Sequence, residues 1–356
     1  MKTCIVSFGN FMVVPYISTY IDILDKADEK YDIIYWNRSG IEEKGYNCEI
    51  LYEYKKKLEE TKNLFKKFAP IIGFARFAKK ILSKNNYGRV VILSSLPGVL
   101  LERFLVKKVK GRYIFDIRDY SYENIAWYYK KMESLMKNSA LNVISSPGFM
   151  NFLPKEKCSL IHNCAYPDCG KETFEKKEGT LSIAFIGVVR FADECKQFLN
   201  KIKNDKRVVF EFFGEGVGEK VLKDYCSENG FENVNFHGRY MPEEKSDIIR
   251  GADFIFNAYG NKKISLIYAL SNKYYDALYF KKPLIVNENT TMAEFSEGIS
   301  FNVHYNSQTF VDDLINWYNG INEEFINQAS EKYLQKAIEE NEEVSKKISI
   351  VLTENN

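Results

Sequence analysis

The chain has 356 residues, of which 45% are hydrophobic and 28% charged, and its formal net charge is +2. A soluble globular protein has this composition, and the length suffices for two domains that each bury a core. The near-neutral charge gives no electrostatic reason to expect nucleic-acid binding. Seven cysteines without regular spacing favour reduced thiols in a cytoplasmic protein. MKTCIVSFGN predicts a first strand rather than a signal peptide, and no apolar run reaches the roughly 20 residues of a membrane-spanning helix.

Short apolar runs, each followed by a helical pattern, recur through both halves of the chain. The first half contains the predicted strands Thr3–Phe8, Tyr31–Tyr35, Glu49–Tyr52, Val90–Leu93, Tyr113–Ile117 and Asn142–Ile144. The second half contains Ser182–Ile186, Val208–Phe213, Val234–Phe236, Phe254–Phe256, Leu284–Val286 and Ser300–Val303. Strands that alternate with helices predict parallel sheets with right-handed crossovers, and these strands are too many for one ordinary open sheet. We therefore predict an α/β protein with two doubly wound parallel-sheet domains.

A polar stretch, Cys164–Thr180, separates the two groups of strands and contains one proline and two glycines. Such a stretch is typical of a domain boundary. We place the N-terminal domain at residues 1–165, a linker at 166–180 and the C-terminal domain at 181–320. Residues 321–356 are predicted to form one or two helices with solvated faces.

The segment Lys55–Lys84 is strongly basic, with ten Lys or Arg against Glu59 and Glu60. Pro70 is expected to divide it into two helices. Apolar side chains interleave with the cations, namely Phe65, Phe68, Ile71, Ile72, Phe74, Phe77 and Ile81 with Lys62, Lys66, Lys67, Arg76, Lys79 and Lys80. This pattern predicts a helix that lies on an anionic membrane surface. The alternative is an amphipathic helix packed on the sheet with a solvated basic edge.

Polar residues follow two predicted strands of the first domain. Gly9 and Asn10 follow the first strand, and DIRDY places Asp116, Arg118 and Asp119 at the carboxyl end of another. Open α/β sheets bind ligands at this edge, so we expect these residues to face a ligand. A plain turn at Gly9 and a structural ion pair between Arg118 and an aspartate are the alternatives.

The first strand of the second domain ends at Gly187, with Arg190 and Lys196 close behind near a predicted helix start. Free backbone N–H groups and the helix dipole make such a turn an anion site, and two cations indicate a strongly charged anion such as a diphosphate. Gly214 and Gly216 in FFGEG repeat the pattern of a strand followed by glycine. Ordinary tight turns with surface cations are the alternative for both motifs.

A second anion site is predicted in SNKYYDALYFKKPLIV. Ser271 or Asn272 is expected to cap a helix that opens with Lys273 and ends near Lys281. Uncapped N–H groups at the helix start and the Lys273 ammonium would bind a phosphate. Asp276 lies one turn further on, where its carboxylate could accept hydrogen bonds from two adjacent ribose hydroxyls.

On these residues the second half resembles the donor-binding domain of the GT-B glycosyltransferases, most closely glycosyltransferase family 4. The matching residues are Gly187, Arg190, Lys196, Gly214, Gly216, Lys273, Asp276, Ala277 and Pro283. The resemblance extends over residues 181–318 and covers the first half only in outline. It implies two Rossmann-like domains that face a cleft, followed by C-terminal helices.

The same resemblance implies the activity. A sugar would pass from a nucleotide-diphospho-sugar to a lipid-linked or growing glycan in bacterial surface polysaccharide synthesis, with retention of configuration and without a metal or other cofactor. The protein would be cytoplasmic and peripheral on the inner face of the cell membrane. Arg190 and Lys196 would neutralise the leaving diphosphate, and His237 would meet the donor base. Asp119 would act on the acceptor side, where it and Arg118 stand in place of a frequent family histidine.

One departure from the family leaves the function open. The family often has an acid eight positions before the residue matched by Asp276, but this chain has Tyr268 there. Asn261 or Lys263 could fill the role of that acid. A nucleotide-sugar epimerase of GT-B-like fold and a non-catalytic partner subunit of a glycosyltransferase complex are the alternative functions.

The sequence does not favour a metal site. His162 is close in sequence to Cys158, Cys164 and Cys169, but these spacings are not those of zinc ligands. No paired acidic motif at a strand end predicts a divalent cation.

Overall fold

The two predicted parallel sheets are both present in the computed structural model, which describes residues 1–57 and 64–354. The chain divides into two units. The first comprises Met1–His162 together with Glu340–Asn356, and the second comprises Asn163–Glu339.

The first unit is built on a seven-stranded sheet of order β3-β2-β1-β4-β5-β6-β7. Its elements are β1 (Thr3–Ser7), α1 (Ile17–Lys26), β2 (Tyr31–Asn37), β3 (Ile50–Lys55), α2 (Leu64–Asn85), β4 (Arg89–Leu93), α3 (Ser95–Lys108), β5 (Tyr113–Ile117), α4 (Ala126–Asn138), β6 (Leu141–Ile144) and β7 (Ser159–Leu160). Every residue of β1, β4 and β5 is buried, which is why these strands are nearly continuous apolar runs in the sequence.

The second unit is built on a six-stranded sheet of order β10-β9-β8-β11-β12-β13. Its elements are β8 (Leu181–Ile186), α5 (Ala192–Ile202), β9 (Val208–Phe213), α6 (Glu219–Glu228), β10 (Val234–Gly238), α7 (Lys245–Gly251), β11 (Phe254–Phe256), α8 (Ile264–Ile267), α9 (Asn272–Tyr279), β12 (Leu284–Asn287), α10 (Thr291–Phe295), β13 (Ser300–Val303), α11 (Phe310–Asn319) and α12 (Glu323–Thr353). The last helix runs from this unit into the first.

Each sheet reverses its strand order once, between β1 and β4 in the first unit and between β8 and β11 in the second. Ligands of open parallel sheets bind beyond the carboxyl ends of the strands at such a reversal. All twelve predicted strands are present, with ends that differ by a few residues. The two-residue strand β7 was not predicted, because it is too short to form an apolar run.

The basic segment Lys55–Lys84 forms the end of β3 and most of α2. Pro70 lies inside this one helix, so the prediction of two helices is wrong. The predicted side chains Glu59, Glu60, Lys62, Phe65, Lys66 and Lys67 lie outside the described residues and side chains.

The apolar face of α2 packs against the sheet. Ile71 and Phe74 are buried, and the Phe74 ring lies 5.5 Å from the Phe8 ring and 5.9 Å from the Trp36 ring, measured between centroids. Ile71 and Phe74 therefore face the core and not a membrane, whereas Ile72 is 43% exposed. The cations Arg76, Lys79, Lys80 and Lys84 are exposed. Within the two described ranges, no helix is long and apolar enough to cross a bilayer.

Candidate functional site

Two glycine turns meet at the carboxyl edge of the second sheet. Gly187 has a φ of +110° and Gly214 a φ of +135°, a region that side chains disfavour. The Gly187 N–H donates to the Phe213 carbonyl at 2.8 Å, and a Cβ added at Gly214 would overlap with the Gly187 carbonyl group. A Cβ at Gly216 would likewise overlap with the Val189 carbonyl group. These glycines let the two turns pack backbone against backbone.

Helix α9 begins beside these turns with the predicted cap. The Ser271 hydroxyl accepts a hydrogen bond from the Lys273 N–H at 3.3 Å, so the expectation that this N–H is uncapped is wrong. Asn272 is the first helical residue and is exposed. The helix ends at Tyr279, near the predicted end at Lys281, because Lys281 adopts a φ of +53° that a right-handed helix cannot contain.

The structure brings Lys273 to the Gly187 turn. A Cβ added at Gly187 would lie 4.0 Å from the Lys273 Nζ. The same ammonium lies 5.4 Å from the centroid of the Phe185 ring and 5.2 Å from that of Tyr259. Burial lowers the pKa of Lys273 to about 8, and the negative charge of Asp276 opposes this shift. In the described part of the chain Lys273 forms no salt bridge, so an anion at the turn would meet a cation that is not already neutralised.

The other two predicted cations lie differently. Arg190 is exposed, and the Lys196 Nζ lies 4.8 Å from the centroid of the Tyr225 ring on α6. The first turn of α5 carries Asp193 and Glu194, which themselves compensate the positive end of the helix dipole.

Asp276 is 6% exposed and already has two partners. Its Oδ1 accepts from the Tyr166 hydroxyl at 2.7 Å and from the Lys245 Nζ at 2.8 Å. The Tyr166 ring stacks on the Tyr279 ring, with centroids 4.0 Å apart. Sequence reasoning missed Tyr166 and Lys245, since nothing in the local pattern of either residue indicates a carboxylate partner. A ribose would have to share or replace these hydrogen bonds.

His237 lies within β10 rather than in the loop after it. Its ring stacks on Phe213 with centroids 4.3 Å apart, and its Nε2 contacts a carboxylate oxygen of Glu211. The side chain is exposed and therefore accessible to a ligand at this edge of the sheet.

The segment between β11 and α9 contains the three residues considered for the role of the family acid, namely Asn261, Lys263 and Tyr268. Tyr268 follows α8 directly and is half-buried. Asn261 donates from its Nδ2 to the Glu288 carbonyl at 3.2 Å. The Lys263 Nζ lies 5.6 Å from the centroid of the Phe191 ring.

At the carboxyl edge of the first sheet, Asn10 organises the loop after β2. Its Oδ1 accepts from the N–H groups of Arg38 and Ser39 at 2.9 and 3.1 Å. Its Nδ2 donates to a carboxylate oxygen of Glu43 at 3.1 Å. Gly9 is buried next to it. No local pattern pointed to Arg38, which lies in the loop directly after β2.

Asp116 and Arg118 form the structural ion pair that the sequence left open. Arg118 donates from Nε to Oδ1 of Asp116 at 2.6 Å and from Nη2 to Oδ2 at 2.8 Å, and both side chains are buried. The Tyr20 hydroxyl donates to the same carboxylate at 2.7 Å, and the Arg118 guanidinium lies 4.2 Å from the centroid of the Tyr16 ring. Asp119 is exposed.

His162 pairs with protein groups. Its Nε2 lies 2.6 Å from a carboxylate oxygen of Glu340, and its backbone N–H donates to Asn341 at 2.6 Å. Among the residues described, no group of three or more His, Cys, Asp or Glu side chains could hold a metal ion.

No family model matches the sequence, and no curated protein does. Sucrose-phosphate synthase from Thermosynechococcus elongatus matches with a TM-score of 0.71 at 10% identity, over 98% of this chain and 96% of that one. HepE of Anabaena, solved in complex with UDP, matches with a TM-score of 0.68 at 10% identity, over 97% and 99%. The lipopolysaccharide outer core galactosyltransferase WaaB matches with a TM-score of 0.63 at 12% identity, over 97% and 99%. The chain has the GT-B fold.

Within this GT-B fold the candidate residues fall into two groups. The Gly187 turn, Lys273 and Asp276 belong to the second unit. Asn10, Arg38 and the ion pair of Asp116 belong to the first unit.

Proposed function

We propose that the protein is a glycosyltransferase that takes its sugar from a nucleotide-diphospho-sugar. The observation that carries the proposal is the Lys273 ammonium, which lies beside the Gly187 turn without a salt bridge among the described residues. A diphosphate at this place would gain a charge-assisted hydrogen bond from the lysine. HepE binds UDP, which supports a uridine nucleotide as the first ligand to test.

The chemistry needs positive charge where the leaving diphosphate becomes more negative. Lys273 is proposed to supply this charge together with Arg190 and Lys196. We propose that these side chains act without a metal ion and that the anomeric configuration is retained, as the resemblance implies. Asp119 is proposed to act on the acceptor. Turnover that is unchanged by EDTA would support the first part of this proposal, and turnover that requires an added divalent cation would contradict it.

The acceptor is proposed to be a lipid-linked or growing glycan of a bacterial surface polysaccharide, with the protein cytoplasmic and peripheral on the inner membrane face. WaaB, which acts on lipopolysaccharide, supports this class of acceptor.

Exposed cations support contact with an anionic membrane. A depression of about 590 Å³ between α2 and α3 is lined by Lys79, Arg103, Lys107, Lys108 and Arg112, and no acid is among its described lining residues. Each cation near an anionic surface contributes about 1 kcal/mol.

A sedimentation assay with vesicles tests the membrane contact. Vesicles that contain phosphatidylserine should bind the protein at low salt, and vesicles of phosphatidylcholine alone should not. The triple variant R103Q/K107Q/K108Q should bind the anionic vesicles more weakly. Equal binding to both vesicle types would contradict the proposal.

Calorimetry with UDP and UDP-glucose tests the donor site. Lys273→Ala should weaken binding at least about tenfold, because a charge-assisted hydrogen bond is lost. Lys282→Ala is the matched control, since burial lowers the pKa of Lys282 to about 8 as well, but its Nζ donates to the Arg250 carbonyl. Unchanged binding in Lys273→Ala would contradict the assignment. Arg190→Ala and Lys196→Ala should lower turnover while the protein stays folded.

A second candidate is a non-catalytic partner subunit. The hydrogen bonds that Asp276 already accepts from Tyr166 and Lys245 favour it, because they occupy the group expected to bind a ribose. This candidate predicts no binding of any nucleotide-sugar in the same calorimetric assay. Turnover of a nucleotide-sugar without an acceptor would instead indicate the epimerase.

A further inference from the structure

The loop after β2 holds the guanidinium of Arg38 over two aromatic rings at the carboxyl edge of the first sheet. The guanidinium carbon lies 4.2 Å from the centroid of the Phe8 ring and 4.4 Å from that of Trp36. The Arg38 backbone is fixed by its hydrogen bond to the Asn10 amide at 2.9 Å. The Nε and Nη2 atoms are buried, and neither has a hydrogen-bond partner among residues 1–57 and 64–354.

Within residues 1–57 and 64–354, no carboxylate forms a salt bridge with this guanidinium. Burial lowers the pKa of Arg38 to about 10, because the site solvates the charged guanidinium poorly. Two acids of the same edge are engaged elsewhere, since Asp116 pairs with Arg118 and Glu43 accepts from Asn10 and from the Phe11 N–H at 2.9 Å. A buried cation without a counter-charge is costly for a folded protein.

Arg118 shows what a satisfied arginine is like at the same edge. Its guanidinium also lies over a ring, that of Tyr16, but two of its N–H groups donate to the Asp116 carboxylate. Among the described residues, Arg38 has the ring contacts without a carboxylate. The missing partner is therefore an oxyanion, because the planar fork of an arginine matches a carboxylate or phosphoryl group with two parallel hydrogen bonds.

We propose that Arg38 binds a carboxylate or phosphoryl group on the acceptor, so that the enzyme takes an anionic acceptor. The assignment to an acceptor rests on the proposed function, because only a transferase has an acceptor. The anion site itself rests on the surroundings of Arg38 and does not depend on sugar transfer. The second unit has its own lysine at the Gly187 turn for the donor diphosphate, which leaves the charge of the first unit for a different anion.

Inorganic phosphate and acetate, each titrated against chloride at constant ionic strength, are the probes. One of them should raise the unfolding temperature of the wild-type protein and change its tryptophan fluorescence, because Arg38 lies over Trp36. In Arg38→Gln the apparent dissociation constant should rise at least about tenfold. Lys137→Gln, at an exposed cation of α4 in the same unit, should respond like wild type. Which probe acts tells a phosphorylated acceptor from an acidic sugar.

A third variant guards against a merely structural role. Arg38→Met keeps the packing on Phe8 and Trp36 and removes the charge, so in chloride buffer its unfolding temperature should equal or exceed that of wild type. A fall in stability together with an unchanged anion response would overturn the proposal. So would a wild-type protein that responds to neither probe, or a response that appears only in the variant E59Q/E60Q, which would identify an acid of the chain itself as the partner.

UDP binding to Arg38→Gln separates this inference from the proposed function. Unchanged UDP affinity is expected, and a tenfold loss would assign Arg38 to the donor and overturn the acceptor role. A wild-type protein that responds to phosphate or acetate and does not bind UDP would defeat the proposed function but leave the anion site standing.

Discussion

The carboxyl edges of the two sheets are built in different ways. In the first unit, side chains from distant parts of the chain form hydrogen bonds with one another, as when Asn10 binds the loop after β2 and Tyr20 binds Asp116. In the second unit, backbone packs on backbone at Gly187 and Gly214. The first edge should therefore be sensitive to the loss of charge and hydrogen bonds, and the second to added volume.

Asp116→Ala should cause the largest loss of stability, because it removes the carboxylate that accepts two hydrogen bonds from the buried Arg118 guanidinium. Breaking one side of a buried ion pair costs about 3–5 kcal/mol of unfolding free energy. Urea denaturation measures the effect. Asp22→Ala, at an exposed aspartate of α1, should leave the unfolding midpoint unchanged. Equal midpoints for the two variants would show that the first edge does not depend on this charge pair.

Gly214→Ala should have the second largest effect. It should lower the free energy of unfolding by about 3 kcal/mol or prevent folding, because the new Cβ would overlap with backbone that cannot move aside. Gly251→Ala is the control in the same unit, since a Cβ there meets no atom within 4 Å. Thermal unfolding compares the two. A Gly214→Ala variant as stable as Gly251→Ala would mean that the contact between the turns is not required.

The affinity for UDP should depend on pH, because Lys273 at the edge of the second sheet titrates near neutral pH. Its pKa of about 8 means that the side chain loses its proton as the pH rises through 8. A diphosphate prefers the protonated form, so binding takes up a proton, and affinity should fall between pH 7 and pH 9 by up to about tenfold per unit. Lys273→Arg keeps its charge and should give a flat profile. Calorimetry at pH 7, 8 and 9 measures the UDP affinity. A wild-type affinity that does not change with pH would contradict Lys273 as the phosphate ligand.

Tyr166→Phe should have the smallest effect, about 1 kcal/mol, because it removes one hydrogen bond to Asp276 while Lys245 keeps its salt bridge. Tyr333→Phe, on α12 of the same unit, is the control. If Asp276 binds a ribose, Tyr166→Phe should also change UDP affinity and Tyr333→Phe should not. A stability loss without any change in affinity would assign Asp276 to structure alone.

The sequence predicted what depends on local pattern. Strands β5 and β9 were located to the residue because each is a short, largely apolar run that contains a single acid, Asp116 or Glu211. The glycine turns were found for the same reason, since the requirement for glycine is local. Ser271 was one of two candidate caps, indicated by its own chemistry and position, and the other, Asn272, is the first helical residue.

What the sequence could not show depends on residues far apart in the chain. Tyr166 is 110 residues from its partner Asp276, and no local signal joins them. The unpaired charge of Arg38 becomes visible only when the burial of its atoms is known. Pro70 was misjudged because the packing of Ile71 and Phe74 on the sheet outweighs the hydrogen bond that a proline removes from a helix.

The last helix gives the first unit an unusual dependence on chain synthesis. Val344, Ile348 and Leu352 of α12 lie in the core of the first unit, and the guanidinium of Arg89 donates to the carbonyls of Leu352 and Glu354. A nascent chain that has emerged only through β7 therefore lacks part of the apolar packing that its own sheet needs. The second unit is one continuous stretch of chain, from Asn163 to Glu339. It can therefore complete its folding before the first unit does, although it is synthesised later. Stop codons after residue 339 should consequently harm the N-terminal half more than the half they adjoin.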